Sequence, residues 1–173
     1  RTDRQFIERA LADPAYEVTF DKAFREVIEG CADMIRWRRM QNGDRLPDGK
    51  WISPEYVENY TRLFERGLAH SVEVWHNGIL VGGLYGTFVK GVFAGESMFH
   101  LEDNVTKLAY FKLIDRLKAN GHWMIDTQQS MNGGQGADAQ LSRSLADKWG
   151  ARPVSRGEFQ DLLRRAQSEN RPF

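Results

Sequence analysis

Between Ser71 and Phe99 the chain abandons helical periodicity and is punctuated twice, at Asn77-Gly78 and at Lys90-Gly91. Asn-Gly is the strongest short-range hairpin signal, because both turn positions need positive φ and these two residues adopt it at low cost. Ser71-Val-Glu-Val-Trp75 alternates, Ile79 to Val89 reads as the return strand, and Val92-Phe-Ala-Gly-Glu-Ser-Met-Phe99 as a third. A three-stranded antiparallel meander therefore occupies the middle of the chain. A sheet with apolar faces must bury them under other elements, so the flanking segments are constrained to cover it.

Those segments read as helices. Residues 3–12 are helical in pattern, and Glu17-Val-Thr-Phe20 is a short strand after the Asp13-Pro14 turn. Asp21 is expected to open a helix in which Phe24, Val27, Ile28, Cys31, Met34 and Ile35 form one buried stripe. That stripe makes Cys31 a core residue rather than a nucleophile. Residues 41–50 are turn formers throughout and are expected to be an exposed loop. Ser53-Pro54-Glu55 starts a helix with inner face Val57, Tyr60, Leu63 and Phe64, ending at Gly67. After the meander a helix is expected from about Asp103 to Asn120, buried through Val105, Leu108, Phe111 and Leu117. Trp123 to Gln128 reads as a further strand, 130–138 as a glycine-rich loop, and the stretch to Lys148 as a short helix. Ser155-Arg-Gly-Glu158 is a capping box for a last helix with Phe159, Leu162 and Leu163 inside. This order predicts an α/β fold with helices flanking a mixed, largely antiparallel sheet. It is the element order of the acetyltransferase-like (GNAT) superfold.

At 173 residues the chain is expected to be a single catalytic domain spanning 1–173. No run of eighteen apolar residues occurs, and the first residues lack a signal-peptide core. With a single cysteine, a reducing compartment is the plain reading, and the cytoplasm is expected. The absent initiator Met suggests a chain trimmed or cut from something longer. Basic and acidic side chains balance at 24 each, so charge alone does not point to RNA. The local clusters, Arg36-Trp-Arg-Arg39 and Arg143, Lys148, Arg152 and Arg156, read most simply as solvated helix ends.

Three features exceed what a scaffold needs. Gly82-Gly-Leu-Tyr-Gly86 puts three glycines inside one strand, which implies a close approach to the backbone or a bulged strand. Glu96 lies near the end of the third meander strand, either a functional carboxylate beneath a helix N-terminus or an edge-strand acid facing water. Asp126 and Gln128 are two apart on the last strand, which would send both side chains from one face. The four histidines, His70, His76, His100 and His122, lack metal-ligand spacing. A Ser97/His100/Asp126 triad fails because a continuing strand would turn Ser97 and His100 to opposite faces.

Taken together, Ala69-His-Ser-Val-Glu-Val-Trp75, Leu80-Val-Gly-Gly-Leu-Tyr-Gly86, Phe93-Ala-Gly-Glu-Ser-Met-Phe99 and Ile125-Asp-Thr-Gln128 resemble, in order and spacing, the catalytic domain of leucyl/phenylalanyl-tRNA–protein transferases. Gly49-Lys-Trp-Ile52, Asn104-Val-Thr-Lys107 and Arg156-x-x-Phe159 agree, and the likeness covers roughly residues 16–165. The resemblance implies an acetyltransferase-like fold and an enzyme that moves an amino acid from the 3′ end of an aminoacyl-tRNA to an amine. The acceptor is a protein N-terminus in the family; a peptide or small amine is the other expectation here. It implies Asp126 and Gln128 at the reacting amine, Glu96 at the terminal adenosine or aminoacyl group, and Trp51 beside the adenine. Leu84 and Met98 would line the side-chain pocket. Gly82, Gly83, Tyr85 and Ser97 complete the implied substrate-binding set. An aminoacyl ester is already activated, so neither metal nor cofactor is expected.

Departures accompany the likeness. This sequence is expected to begin where the family's N-terminal domain would be ending, and the family's His-Leu-x-Ser-Leu-Gly-Ala stretch is replaced by the 130–138 insert and Leu141 to Ala151, without histidine. Tyr110 stands at a pocket position that is usually aliphatic. Two other readings compete. An acyl-CoA N-acyltransferase would cradle pyrophosphate at the turn His100-Leu-Glu-Asp-Asn104, whose acids oppose it. A non-catalytic RNA- or protein-binding relative would keep the surface and lose the chemistry.

Overall fold

The computed structural model describes residues 3–34, 37–39, 45–47, 51–122, 124–128, 151–169 and 172–173. In chain order the elements are α1 (Asp3–Ala12), β1 (Tyr16–Phe20), α2 (Phe24–Asp33), β2 (Trp37–Arg39), β3 (Arg45–Pro47), α3 (Pro54–Glu65), β4 (Ala69–His76), β5 (Ile79–Val89), β6 (Val92–His100), α4 (Val105–Ala119), β7 (Met124–Asp126) and α5 (Arg156–Glu169). The main sheet runs β1-β4-β5-β6-β7, antiparallel until β7, which pairs parallel to β6. The meander sits where the hairpin signals put it. Asn77 and Gly78 have φ of 51° and 78°, and Lys90 and Gly91 repeat the pattern at 48° and 83°.

Helices cover both faces. On one side Leu84, Phe88 and Phe93 pack with Val72, Val74 and the α4 residues Val105, Leu108, Leu113 and Leu117. On the other, Tyr85 and Phe99 pack with Phe24, Val27, Ile28 and Cys31 of α2 and Val57 of α3. Two buried faces explain β5, which is apolar or glycine for most of its length. They also bear on β4. The strand alternates polar and apolar residues, and yet Ser71 and Glu73 are fully buried. Glu73 stays there because Ser71 Oγ and Thr19 Oγ1 donate to its two oxygens (2.5 and 2.6 Å), and the Lys22 amide adds a third bond. A buried carboxylate needs such partners.

Local starts follow the sequence where a side chain can make the cap. Ser53 Oγ accepts from the Tyr56 amide (3.2 Å) with Pro54 in the first turn, and Ser155 Oγ accepts from Glu158 N. Phe159, Leu162 and Leu163 then pack on Val92, Met124 and Ala166. Asp21 behaves otherwise. It has φ 60°, accepts from Ser71 N (2.9 Å) and pairs with His70 (2.8 Å), so it ties the β1 end to β4, and α2 begins three residues later. The helix ends at Asp33 and Met34 has turned extended, though its side chain still packs partly buried on the Phe24–Cys31 cluster. Phe111 is only half-buried on α4. Arg45–Pro47, inside the expected 41–50 loop, forms a short ladder with Trp37–Arg39, part of the first basic cluster. Ile35, Arg36, Trp123, the 130–138 stretch and the expected helix to Lys148 lie outside the described residues.

Candidate active site

The geometry of the site originates in a register slip. Tyr85 pairs with Ser97 and Gly86 with Gly95, so Glu96 is the extra residue of a β-bulge and has no partner in β5. A bulge re-aims a side chain and is common beside active sites. Glu96 therefore sits mid-strand, four residues before β6 ends, and not at a strand end beneath a helix. The glycines make this packing possible. A Cβ on Gly86 would lie 2.2 Å from Ala94 O and 2.7 Å from the Phe93 ring. On Gly82 it would meet Val105 Cγ2 at 2.5 Å, and on Gly83 Val72 O at 2.7 Å and Val27 Cγ2 at 3.0 Å. The close approach to this strand is made by the protein's own helices and neighbouring strands.

The second component comes from β7. It pairs Val92 with Met124, Phe93 with Ile125 and Ala94 with Asp126, and there the parallel ladder stops while β6 continues to His100. Continuing that register two residues along each chain brings Gln128 beside Glu96. Gln128 Nε2 indeed donates to Glu96 Oε1 at 3.0 Å. Strand alternation does not produce this meeting. The strand ends at Asp126, Gln128 has φ 54°, and its amide donates back to Asp126 Oδ1 at 2.8 Å. An Asx-type turn thus locks the two residues into one unit. Asp126 and Glu96 are half-buried and Gln128 is exposed.

The other sequence candidates fall into groups. Leu84 and Met98 are cross-strand partners on the α4 side, with half-buried Tyr110 on the same cluster. Burial raises the Tyr110 phenol above its usual range. Tyr85 and Ser97 pair on the opposite, α2–α3 side, Tyr85 wholly buried. Trp51 is 45% exposed, its ring edge-on to Tyr56 at 5.2 Å. Ser97 is buried and His100 exposed, so the paper triad is not assembled. No three His, Cys, Asp or Glu are grouped to hold a metal among the described residues, nor is any described helix long and apolar enough to cross a membrane.

Sequence reading missed Tyr56 and took Tyr60 for simple core. Their rings stack at 4.4 Å, and Tyr60 meets the buried Tyr85 ring edge-on at 5.6 Å. Burial above all pushes both phenols well above the usual range. The available signal was two tyrosines at i and i+4 behind a capped helix start and next to Trp51.

A five-stranded mixed sheet with a bulged central strand and a parallel partner that ends early defines the acetyltransferase class of fold. Among solved structures the chain resembles an aminoglycoside acetyltransferase from an uncultured soil metagenomic sample. That likeness has a TM-score of 0.53 and 16% identity, over 81% of this chain and 93% of that one. It also resembles a predicted acetyltransferase with acetyl-CoA from Clostridium acetobutylicum, with a TM-score of 0.50 and 12% identity over 82% and 91%. Both likenesses speak to fold alone. The family model for leucyl/phenylalanyl-tRNA protein transferase matches residues 3–164, and the chain belongs to that family. Leucyl/phenylalanyl-tRNA–protein transferases from Azotobacter vinelandii and Syntrophotalea carbinolica are 40% and 42% identical over 91% and 92% of this chain. One from Herpetosiphon aurantiacus is 36% identical over 92%. The chain spans 60%, 61% and 71% of those three relatives' lengths.

Proposed function

We propose that this chain transfers an aminoacyl group from the 3′ end of an aminoacyl-tRNA to an amine, forming an amide bond. The observation that carries the reading is the hydrogen-bonded unit of Asp126, Gln128 and Glu96, built where the β6 bulge meets the end of β7. Family membership supports the donor class.

The chemistry suits these groups. The amine nitrogen attacks the ester carbonyl, a C–N bond forms, and the ester C–O bond breaks. The ribose oxygen leaves with a proton, and the amine gives one up. Holding a neutral amine against an activated ester can supply several of the ~7–11 kcal/mol available from positioning, so no covalent enzyme intermediate is needed. With its amide nitrogen committed to Glu96, Gln128 offers its carbonyl oxygen to an amine N–H. Asp126, holding the Gln128 backbone through one oxygen, has a second oxygen with which to balance the charge that develops on nitrogen. Glu96 faces the aminoacyl end and Trp51 the adenine, Leu84 and Met98 lining the side-chain pocket. Tyr110 narrows and polarises that pocket. Gly82, Gly83, Tyr85 and Ser97 then act by shaping the strands that carry the contact residues. A tRNA donor implies a cytoplasmic enzyme.

The test is incubation with a set of radiolabelled aminoacyl-tRNAs, a peptide bearing N-terminal Arg or Lys, and a cell extract. Label entering peptide or extract protein supports a protein N-terminus as acceptor. Label found only in small molecules supports a peptide or small-amine acceptor. No transfer, together with calorimetric binding of CoA, would replace this reading with acyl-CoA chemistry. Against that outcome stand Glu102 and Asp103 at the turn before α4.

A further inference from the structure

Pro172 and Phe173 follow α5, outside the 3–164 stretch that the family model matches, and Phe173 packs half-buried on the α4 side of the sheet. Its ring stacks on His70 at 4.0 Å, lies tilted to Phe88 at 5.3 Å, and stacks on Phe93 at 6.0 Å. The Arg116 guanidinium sits 4.8 Å from this ring and 4.6 Å from that of Phe20, a cation between two π faces. Arg116 Nη2 also donates a long bond to the Phe173 carbonyl (3.4 Å). Buried His122, on the turn between α4 and β7, has Nε2 2.7 Å from the Pro172 carbonyl. A carbonyl only accepts, so the imidazole donates. The segment is thus held by β4, β5, β6 and α4 at once.

The contact with Phe93 leads to the candidate site. The tip of the Phe93 ring occupies the space beside Gly86, 2.7 Å from where a Cβ there would stand. Gly86 pairs with Gly95 at the register slip, so this ring abuts the bulge that carries Glu96. Phe93 is also the ladder partner of Ile125, the neighbour of Asp126. One side chain therefore borders both halves of the Asp126–Gln128–Glu96 unit, and Phe173 is stacked on it. In a close-packed interior such a ring moves only if its neighbours give way. We infer that Phe173 is a positioning residue for the transfer reaction. Seated by His70, Arg116 and the His122–Pro172 bond, it keeps the Phe93 ring against Gly86 and so fixes the bulge that brings Glu96 to Gln128. The inference rests on the proposed aminoacyl-transfer role of Glu96.

Phe173→Ala removes the ring and Phe173→Leu refills most of its volume. Thermal melts set an assay temperature at which each variant is fully folded. In steady-state transfer, Phe173→Ala is expected to lower kcat about 10-fold while KM for aminoacyl-tRNA stays within about 3-fold. Phe173→Leu should recover most of that loss. In a Phe93→Leu background, Phe173→Ala should add no more than about 2-fold, because its effect passes through that ring. Wild-type kcat in Phe173→Ala, a change confined to KM, or an undiminished loss in the Phe93→Leu background overturns the inference. A second readout needs no turnover. The Gln128 side-chain amide donates to Glu96, so its magnetic-resonance signals, assigned by their absence from Gln128→Glu, should shift in Phe173→Ala. Unmoved signals overturn the inference. A wild-type chain that transfers nothing would overturn the proposed function instead, and the amide signals then decide whether Phe173 holds Glu96 to Gln128.

Discussion

Replacing Gly86 by alanine inserts one methyl group at the bulge that aims Glu96. That carbon would lie 2.2 Å from Ala94 O, where ordinary contact begins at 3.4 Å, and 2.7 Å from the Phe93 ring on its other side. A flexible side-chain end could yield cheaply. Here one neighbour is backbone and the other is a buried ring packed on Phe173 and the α4 core. Strand β6 has to retreat by roughly 1 Å, which puts the cost at or above the upper end of the ~1–3 kcal/mol usual for overpacking. For a chain of this size about 3 kcal/mol corresponds to a loss of roughly 6–12 °C in melting temperature. Gly95→Ala is the matched control, because a Cβ there has no neighbour within 4 Å. It should change stability by less than about 0.5 kcal/mol. Thermal melts and urea titrations of both variants decide the matter. If Gly86→Ala melts within about 2 °C of wild type, the bulge does not depend on this glycine and the explanation of the Glu96 direction fails.

The five tyrosines, Tyr16, Tyr56, Tyr60, Tyr85 and Tyr110, all have phenols raised chiefly by burial, Tyr16 to about 12. An unfolded chain gives up phenolic protons at about 10, so this stability is present below that pH and is lost as pH rises through the folded values. Tyrosinate absorbance should therefore appear together with loss of the circular-dichroism signal. A gradual rise near the ordinary value in a still-folded protein would contradict it. Glu102 is lowered mainly by its bond to His76 (2.8 Å) and also accepts from Tyr16 (2.9 Å), pinning β1 and β4 to the turn before α4. Glu102→Gln should cost at most about 1 kcal/mol at neutral pH, given its partial exposure, and less in acid as the wild-type carboxylate is protonated; urea unfolding at two pH values reads both.

Elements announced by local chemistry were legible in the sequence: the Asn77-Gly78 and Lys90-Gly91 turns, the Ser53 and Ser155 caps, and the stripe through Phe24, Val27, Ile28 and Cys31. Features decided by tertiary pairing were not. The bulge at Glu96 leaves only the glycine at 86 as a trace, and strand alternation then misplaces both Glu96 and Gln128. Asp21 looked like a helix cap because the type is right, yet its oxygens are taken by Ser71 and His70 from a distant strand. The burial of Ser71 and Glu73 was not legible either, because a sequence does not reveal that helices cover both faces of β4. Asp126, Gln128 and Glu96 stood out as individuals by their strand positions, and the family motifs gave them roles, while the bonds joining them came from the structure.

The central claim is that the Asp126–Gln128–Glu96 unit positions an amine against an aminoacyl ester. Single-turnover transfer from saturating aminoacyl-tRNA, compared for wild type, Gln128→Ala and Asp126→Ala, tests it most directly. The expected result is a fall in the transfer rate of about 10²-fold or more in each variant, with donor binding changed far less. Transfer at the wild-type rate in both variants would contradict the claim.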